Sequence, residues 1–249
     1  MEIRKSAFFN VTSLRFYKIL VYLFLAIYFN SVSIVFGQEK PNYTSIGSWN
    51  ITNLKYTWNS SLYFTLEAQL RSLGYYSNFH YHEFSQSTNY RVSENLLTTL
   101  GIGKYDTYQE GGNFVLPKNN DEIRLWPQIT TFQHFQNLTI EHRYRMELRM
   151  GKNSYRNRLR YRLGVKIPIG KEKNGVKRVV LDLNNELFFT EKEPYFERNR
   201  FQLLFNYKPS QIINIQLGYL YQFDYKIFDE IGRNFMILGC NFSLYKKEN

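Results

Sequence analysis

From Asn137 to Ile169 the chain alternates apolar and charged residues with a period of two. Leu138, Ile140, Tyr144, Met146, Leu148 and Met150 are out of phase with Thr139, Glu141, Arg143, Arg145, Glu147 and Arg149. After GKNS the alternation resumes, with Leu159, Tyr161, Leu163, Val165, Ile167 and Ile169 against Arg156, Arg158, Arg160, Arg162 and Lys166. A strand sends successive side chains to opposite faces, whereas helical spacing would scatter these arginines around a cylinder. The pattern predicts a β-hairpin with an ion ladder on one face and an aliphatic and aromatic surface on the other. Centring its loop on Lys152 and Asn153 sets Glu147 opposite Arg158, Arg145 opposite Arg160 and Arg143 opposite Arg162. Extending the register through the next two turns sets Glu186 opposite Arg160 and Arg200 beside Glu186, so Glu186 is expected to bridge Arg160 and Arg200.

The same period recurs along the chain. Leu62, Phe64, Leu66, Ala68 and Leu70 alternate with Glu67, Gln69 and Arg71. Val179, Leu181, Leu183, Leu187 and Phe189 oppose Asp182, Asn184 and Glu186. Arg198, Arg200 and Gln202 alternate with Phe201, Leu203 and Phe205, and the run from Ile213 to Asp224 repeats the scheme. Strands are also expected over 79–92, 94–105, 122–135 and 234–245. Starting at Ser61 this makes ten strands, an even number that closes an antiparallel barrel, with twelve as the alternative. The weakly patterned segment 38–60, with Trp49 and Trp58, is expected to tuck inside the barrel or at its mouth. Turns near Ser93, Asn137, Asn174 and Pro209 read as short. Links at Gly74, Gly111, Lys152, Pro194 and Asp229 read as longer, the longest being DTYQEGGNFVLPKNND.

Alternation alone fits either a soluble barrel with charges outside or a membrane barrel with charges inside. The first 37 residues weigh in here. Arg4, Lys5, Arg15 and Lys18 precede an apolar run from Ile19 to Phe29, too short to span a membrane, and Val35 and Gly37 stand before a plausible cut. Residues 1–37 therefore read as a signal peptide, with the barrel domain over 61–249. Removing four basic residues and one acid takes the net charge from +11 to +8. Arginines held on strand faces of an exported protein are not arranged for nucleic acid. The single Cys240 excludes an intrachain disulfide. Tyr and Phe number 21 each, yet mean hydropathy is negative. This suits a transmembrane antiparallel β-barrel in the bacterial outer membrane, with aromatic girdles contacting lipid and an Arg/Glu-rich interior.

The early Trp49, the Glu67 and Arg71 pair, EHRYRMELR from Glu141, RNRLRYRLGVKIPIG from Arg156, NNELFF around Glu186, ERNRF around Arg200 and IQLGYLYQ from Ile215 resemble the domain of unknown function 2490 family. The resemblance covers nearly all of the chain after residue 37. It implies an outer-membrane β-barrel of a kind common in Bacteroidetes-type bacteria, and it assigns no chemistry.

The candidate site is the charged face itself: Glu67, Arg71, Glu141, Arg143, Arg145, Glu147, Arg149, Arg156, Arg158, Arg160, Arg162, Asp182, Glu186, Arg198 and Arg200. One reading has these side chains fill a narrow barrel whose role is structural or lies in binding by its loops. A second makes them the lining of a small anion-preferring pore for a small solute. A third is an outer-membrane hydrolase, for which His80, His82, Asp106, Glu110, Asp121 and Glu122 are candidates near loops, with His142 on the apolar face. No zinc spacing, phosphate loop or nucleophile elbow occurs, so no cofactor or metal is expected and the enzyme reading ranks last.

Overall fold

The computed structural model describes residues 45–246 other than 153, 174–175 and 227–228; side chains are described except over 171–177 and 226–229. The expected signal peptide, and residues 38–44 of the expected N-terminal segment, lie outside the described residues. Eleven strands follow one another among the described residues. They are β1 (Gly47–Thr57), β2 (Leu62–Gly74), β3 (Ser77–Ser93), β4 (Leu96–Gln109), β5 (Val115–His134) and β6 (Thr139–Gly151), followed by β7 (Ser154–Lys173), β8 (Val176–Thr190), β9 (Phe196–Tyr207), β10 (Ile213–Lys226) and β11 (Asp229–Tyr245). Each pairs antiparallel with the next, and β1 closes the barrel on β11.

The strand count corrects the expected ten. Strands β2 to β11 are those ten, and the eleventh is the segment expected to lie inside. β1 is part of the wall, paired antiparallel with β2 from Trp49↔Arg71 to Thr57↔Tyr63 and parallel with β11 from Gly47↔Phe235 to Thr57↔Tyr245. An even count is required only of a barrel closed antiparallel throughout, and the parallel β1–β11 seam removes that constraint. The physical reason for the wall position is the edge. In the wall, β1 gives the facing edges of β2 and β11 a ladder partner along their length.

A parallel pair is somewhat weaker per residue than an antiparallel one, and here the seam is fastened from within. Trp49, Leu204, Leu220, Phe235 and Ile237 form a buried apolar cluster against which Ile51 packs. Trp49 meets Phe235 edge-on with ring centroids 5.6 Å apart. Tyr81, Tyr105 and Trp126 form a second buried cluster across β3 to β5. The interior is therefore not uniformly polar.

The connections also differ from expectation. All run two to five residues at both ends of the barrel, without long and short links alternating. The expected long loop from Asp106 to Asp121 is mostly strand, because β4 and β5 continue pairing through Asp106↔Asp121 to Gln109↔Val115. Only residues 110–114 turn, with Gly111 at a φ of 102°.

Candidate functional site

The ion ladder faces inward. Glu147, Arg149, Arg158, Glu141, Glu186 and Arg200 are buried, while their neighbours Met146, Met150, Leu159, Tyr144 and Phe205 are exposed. The β6–β7 hairpin pairs Glu147↔Arg158, Arg145↔Arg160 and Arg143↔Arg162, as its symmetric turn requires. Two arginine pairs facing directly across strands would repel, and the carboxylates between them decide how this resolves. Glu147, 1 % exposed, accepts bonds from Arg158 and Arg160. Glu141 takes Arg162 and Lys166.

Glu186 shows where a local register argument stops. It lies opposite Arg162, and Phe188 lies opposite Arg160, a shift of two residues from expectation. The β7–β8 ladder starts at Lys173↔Val176, farther along the chain than the expected register sets it, and a bulge between Ile169 and Glu172 takes back one residue of that difference. Arg160 still reaches Glu186 diagonally, with Nη2 donating at 2.8 and 2.9 Å to the two carboxylate oxygens. The second arginine on Glu186 is Arg143, from two strands away, and not Arg200. Arg200 does pair with Glu186 along the β8–β9 ladder, but its Nε donates to Gln222 at 2.9 Å.

The remaining expected residues fall into the same network. Arg71 pairs with Glu83 at 3.0 Å, and Glu67 accepts a bond from Gln69. Arg145 donates to Gln128 and sits 4.0 Å from Glu147. Arg149 joins Glu122 at 2.8 Å and Arg156 joins it at 3.3 Å. Arg198 pairs with Asp224, and Asp182 faces the interior with its Oδ1 lacking a partner.

Sequence reasoning missed several members. Glu122, set among the loop candidates for hydrolysis, is buried on β5 and holds Arg124, Arg149 and Arg156. Its alternation with Arg124 and Trp126 was the available signal. Glu83 and Glu197 lie where alternation is less clean, whereas Asp224 ends the alternating run from Ile213 and stands outside the expected set. Phe188 is 0 % exposed, and the guanidinium carbons of Arg160, Arg200, Arg158 and Arg198 lie 4.6 to 5.7 Å from its ring centroid. The aromatic face adds attraction for these cations beside that of their carboxylate partners. Trp126 fills the space over Gly101, where a Cβ would come within 2.3 Å of the indole.

An interior cavity of about 610 Å³ is lined by all eleven strands. It runs from Glu110, Asn119, Arg156 and Arg233 at one rim to Asn53, Glu67, Asp182 and Gln216. Beyond that level Asn89, Thr99, Thr130, Glu141 and Asn206 are buried and do not line it. There Asn89 donates to Thr65 and Ser87 and accepts from Thr99, while Gln128 donates to Thr130. These hydrogen bonds join side chains of the neighbouring strands β2 to β4 and within β5, on one side of the barrel.

Of the hydrolase candidates, His82, Asp106 and Asp121 come together and the others lie apart. His82 and Asp106 are 3.7 Å apart, beside Lys104, Lys118 and Asp121, and His82 Nε2 shares a hydrogen bond with the Tyr108 hydroxyl. His80 lines the interior, and Glu110 pairs with Arg233. His142 is hydrogen-bonded to the Tyr161 hydroxyl at 2.9 Å.

No curated protein matches the chain. Among solved structures it is similar to a chain described as "NanC porin structure in rhombohedral crystal form", at 11% identity and a TM-score of 0.49, covering 76% of this chain and 94% of that one. The family model described as protein of unknown function (DUF2490) matches residues 46–229, from the start of β1 into β11, and the chain therefore belongs to the DUF2490 family.

Proposed function

We propose that this protein is an outer-membrane β-barrel whose lumen is closed at one end by its own side chains and open to water at the other, with no enzymatic role. The observation that carries the reading is the inversion of the barrel, with charges inside and apolar side chains outside. In water that arrangement would expose a continuous apolar surface, whereas lipid covers it. The outward residues of β7 are apolar or aromatic from Leu159 to Ile169. At roughly 3.3 Å per residue and a tilt of about 40°, that run is about 25 Å tall, the height of the lipid-facing band of such barrels. Exposed Tyr75, Tyr76, Tyr155 and Tyr195 stand at one end of the barrel, and Trp58, Tyr90, Phe135, Tyr207 and Tyr245 at the other, as two interfacial girdles would. Fractionation tests the location: the protein is expected in outer membranes, migrating faster on a gel before boiling than after. Recovery as a soluble protein would refute it.

A second reading, a small anion-preferring pore, is favoured by the twelve arginines that line the cavity. The closed reading rests on Asn89, Thr99, Thr130 and Asn206, which are buried and do not line the cavity. It also fits barrel size, because eight strands are just filled by side chains and aqueous channels accompany about sixteen. In a planar bilayer the closed barrel gives no steady conductance. Resolved unit currents selective for chloride, weakened by Arg160→Gln with Arg162→Gln, would establish the pore instead.

A further inference from the structure

Of the twelve arginines lining the cavity, eleven have a carboxylate oxygen within 4.0 Å among the described residues. Arg200 is the exception. It is 7 % exposed, its Nε is spent on Gln222, and its two terminal nitrogens have no hydrogen-bond partner among the described residues. They are also not among the solvent-sealed polar atoms, so they face the cavity. The charges acting on it most strongly are those of Arg198, Arg71 and Arg160, with Glu186 opposing them. A guanidinium in this position bears the cost of burial without the return of a paired anion.

The surroundings hold it there. The Arg200 guanidinium lies over both Trp49 and Phe188, at 4.9 and 4.8 Å from the ring centroids. Arg71 lies over the same Trp49 ring at 3.4 Å, so one indole keeps two cations together. The Nε of Arg71 is buried and unpartnered as well. Two positive groups are thus pre-positioned beside the cavity, and the planar fork of Arg200 faces it. An oxyanion that accepts two parallel N–H bonds satisfies that fork, which a spherical halide cannot do.

We propose that Arg200, supported by the charge of Arg71 on the shared Trp49 ring, is a binding site for a small oxyanion, a phosphate or carboxylate, entering from the open end of the cavity. The site does not depend on membrane location, so fractionation results leave it untouched. Inorganic phosphate and acetate serve as probes with the purified, detergent-solubilised barrel, against chloride at matched ionic strength. Wild type is expected to unfold at a higher temperature in at least one of the two oxyanions than in chloride. Titration calorimetry should show binding that weakens about tenfold or more in Arg200→Gln, the scale of losing charge-assisted hydrogen bonds. Because Arg200 has no ion pair to lose, Arg200→Gln in chloride should be destabilised less than Arg160→Gln. The proposal is overturned if neither oxyanion stabilises wild type beyond chloride, or if Arg200→Gln retains full binding. A loss of stability in chloride as large as that of Arg160→Gln would overturn it too, by making Arg200 a structural residue.

Discussion

Replacing Glu186 by Gln separates the local register argument from the folded network. The carboxylate is 5 % exposed and is the acceptor for Arg143 and for Nε and Nη2 of Arg160. The two arginines are affected unequally. Arg160 keeps Glu147, whereas Glu186 is the carboxylate that pairs with Arg143. Breaking a buried pair from one side costs about 3 to 5 kcal/mol, because the remaining charge stays buried. The Arg143 side chain retains 13% exposure at the cavity wall, so the cost should fall near the lower end, about 3 kcal/mol. Reversible denaturant unfolding into lipid or detergent, followed by tryptophan fluorescence, gives the stability differences. In double-mutant cycles, Glu186→Gln should couple to Arg143→Gln by about 2 kcal/mol, within the range for residues in one network. Coupling to Arg160→Gln should be smaller, since Glu147 compensates. Coupling to Arg200→Gln should be smaller than that to Arg143→Gln, although Arg200 is the direct ladder partner. Additive losses with Arg143, or a larger coupling to Arg200, would refute the assignment.

Two further perturbations probe the wall from each side. Leu217 is 50 % exposed and stands in register with Phe205 and Leu238, so Leu217→Arg should cost about 2 to 4 kcal/mol in a bilayer but much less in a zwitterionic detergent that yields to the charge; equal cost in both would argue against lipid contact. Gly101→Leu drives a side chain into the Trp126 indole, and overpacking of about 1 to 3 kcal/mol should accompany a change in tryptophan emission, with unchanged emission and stability refuting the contact.

Along the chain, alternation determined a great deal by itself. Period two is a property of the strand backbone, and a short symmetric turn transmits register to the strand that follows. The β6–β7 pairing of Glu147, Arg145 and Arg143 with Arg158, Arg160 and Arg162 was legible for that reason. So was membership of the inward face for residues such as Arg71, Glu141 and Arg198, whose strands alternate cleanly. Tertiary structure decided what depends on closure. Which face points inward is set by the whole barrel, since alternation is symmetric between the two. The place of β1 is set by pairing with two strands far apart in the chain, information absent from the weak pattern of residues 47–57. The β7–β8 ladder starts at Lys173↔Val176 and carries a one-residue bulge, which together leave Glu186 two residues from its expected partner, and the reach of Arg143 from two strands away is a property of the folded wall. The isolation of Arg200 likewise came from three dimensions, because its nearest carboxylate in the ladder, Glu186, is taken by Arg160 of the strand on its other side and by Arg143 two strands away.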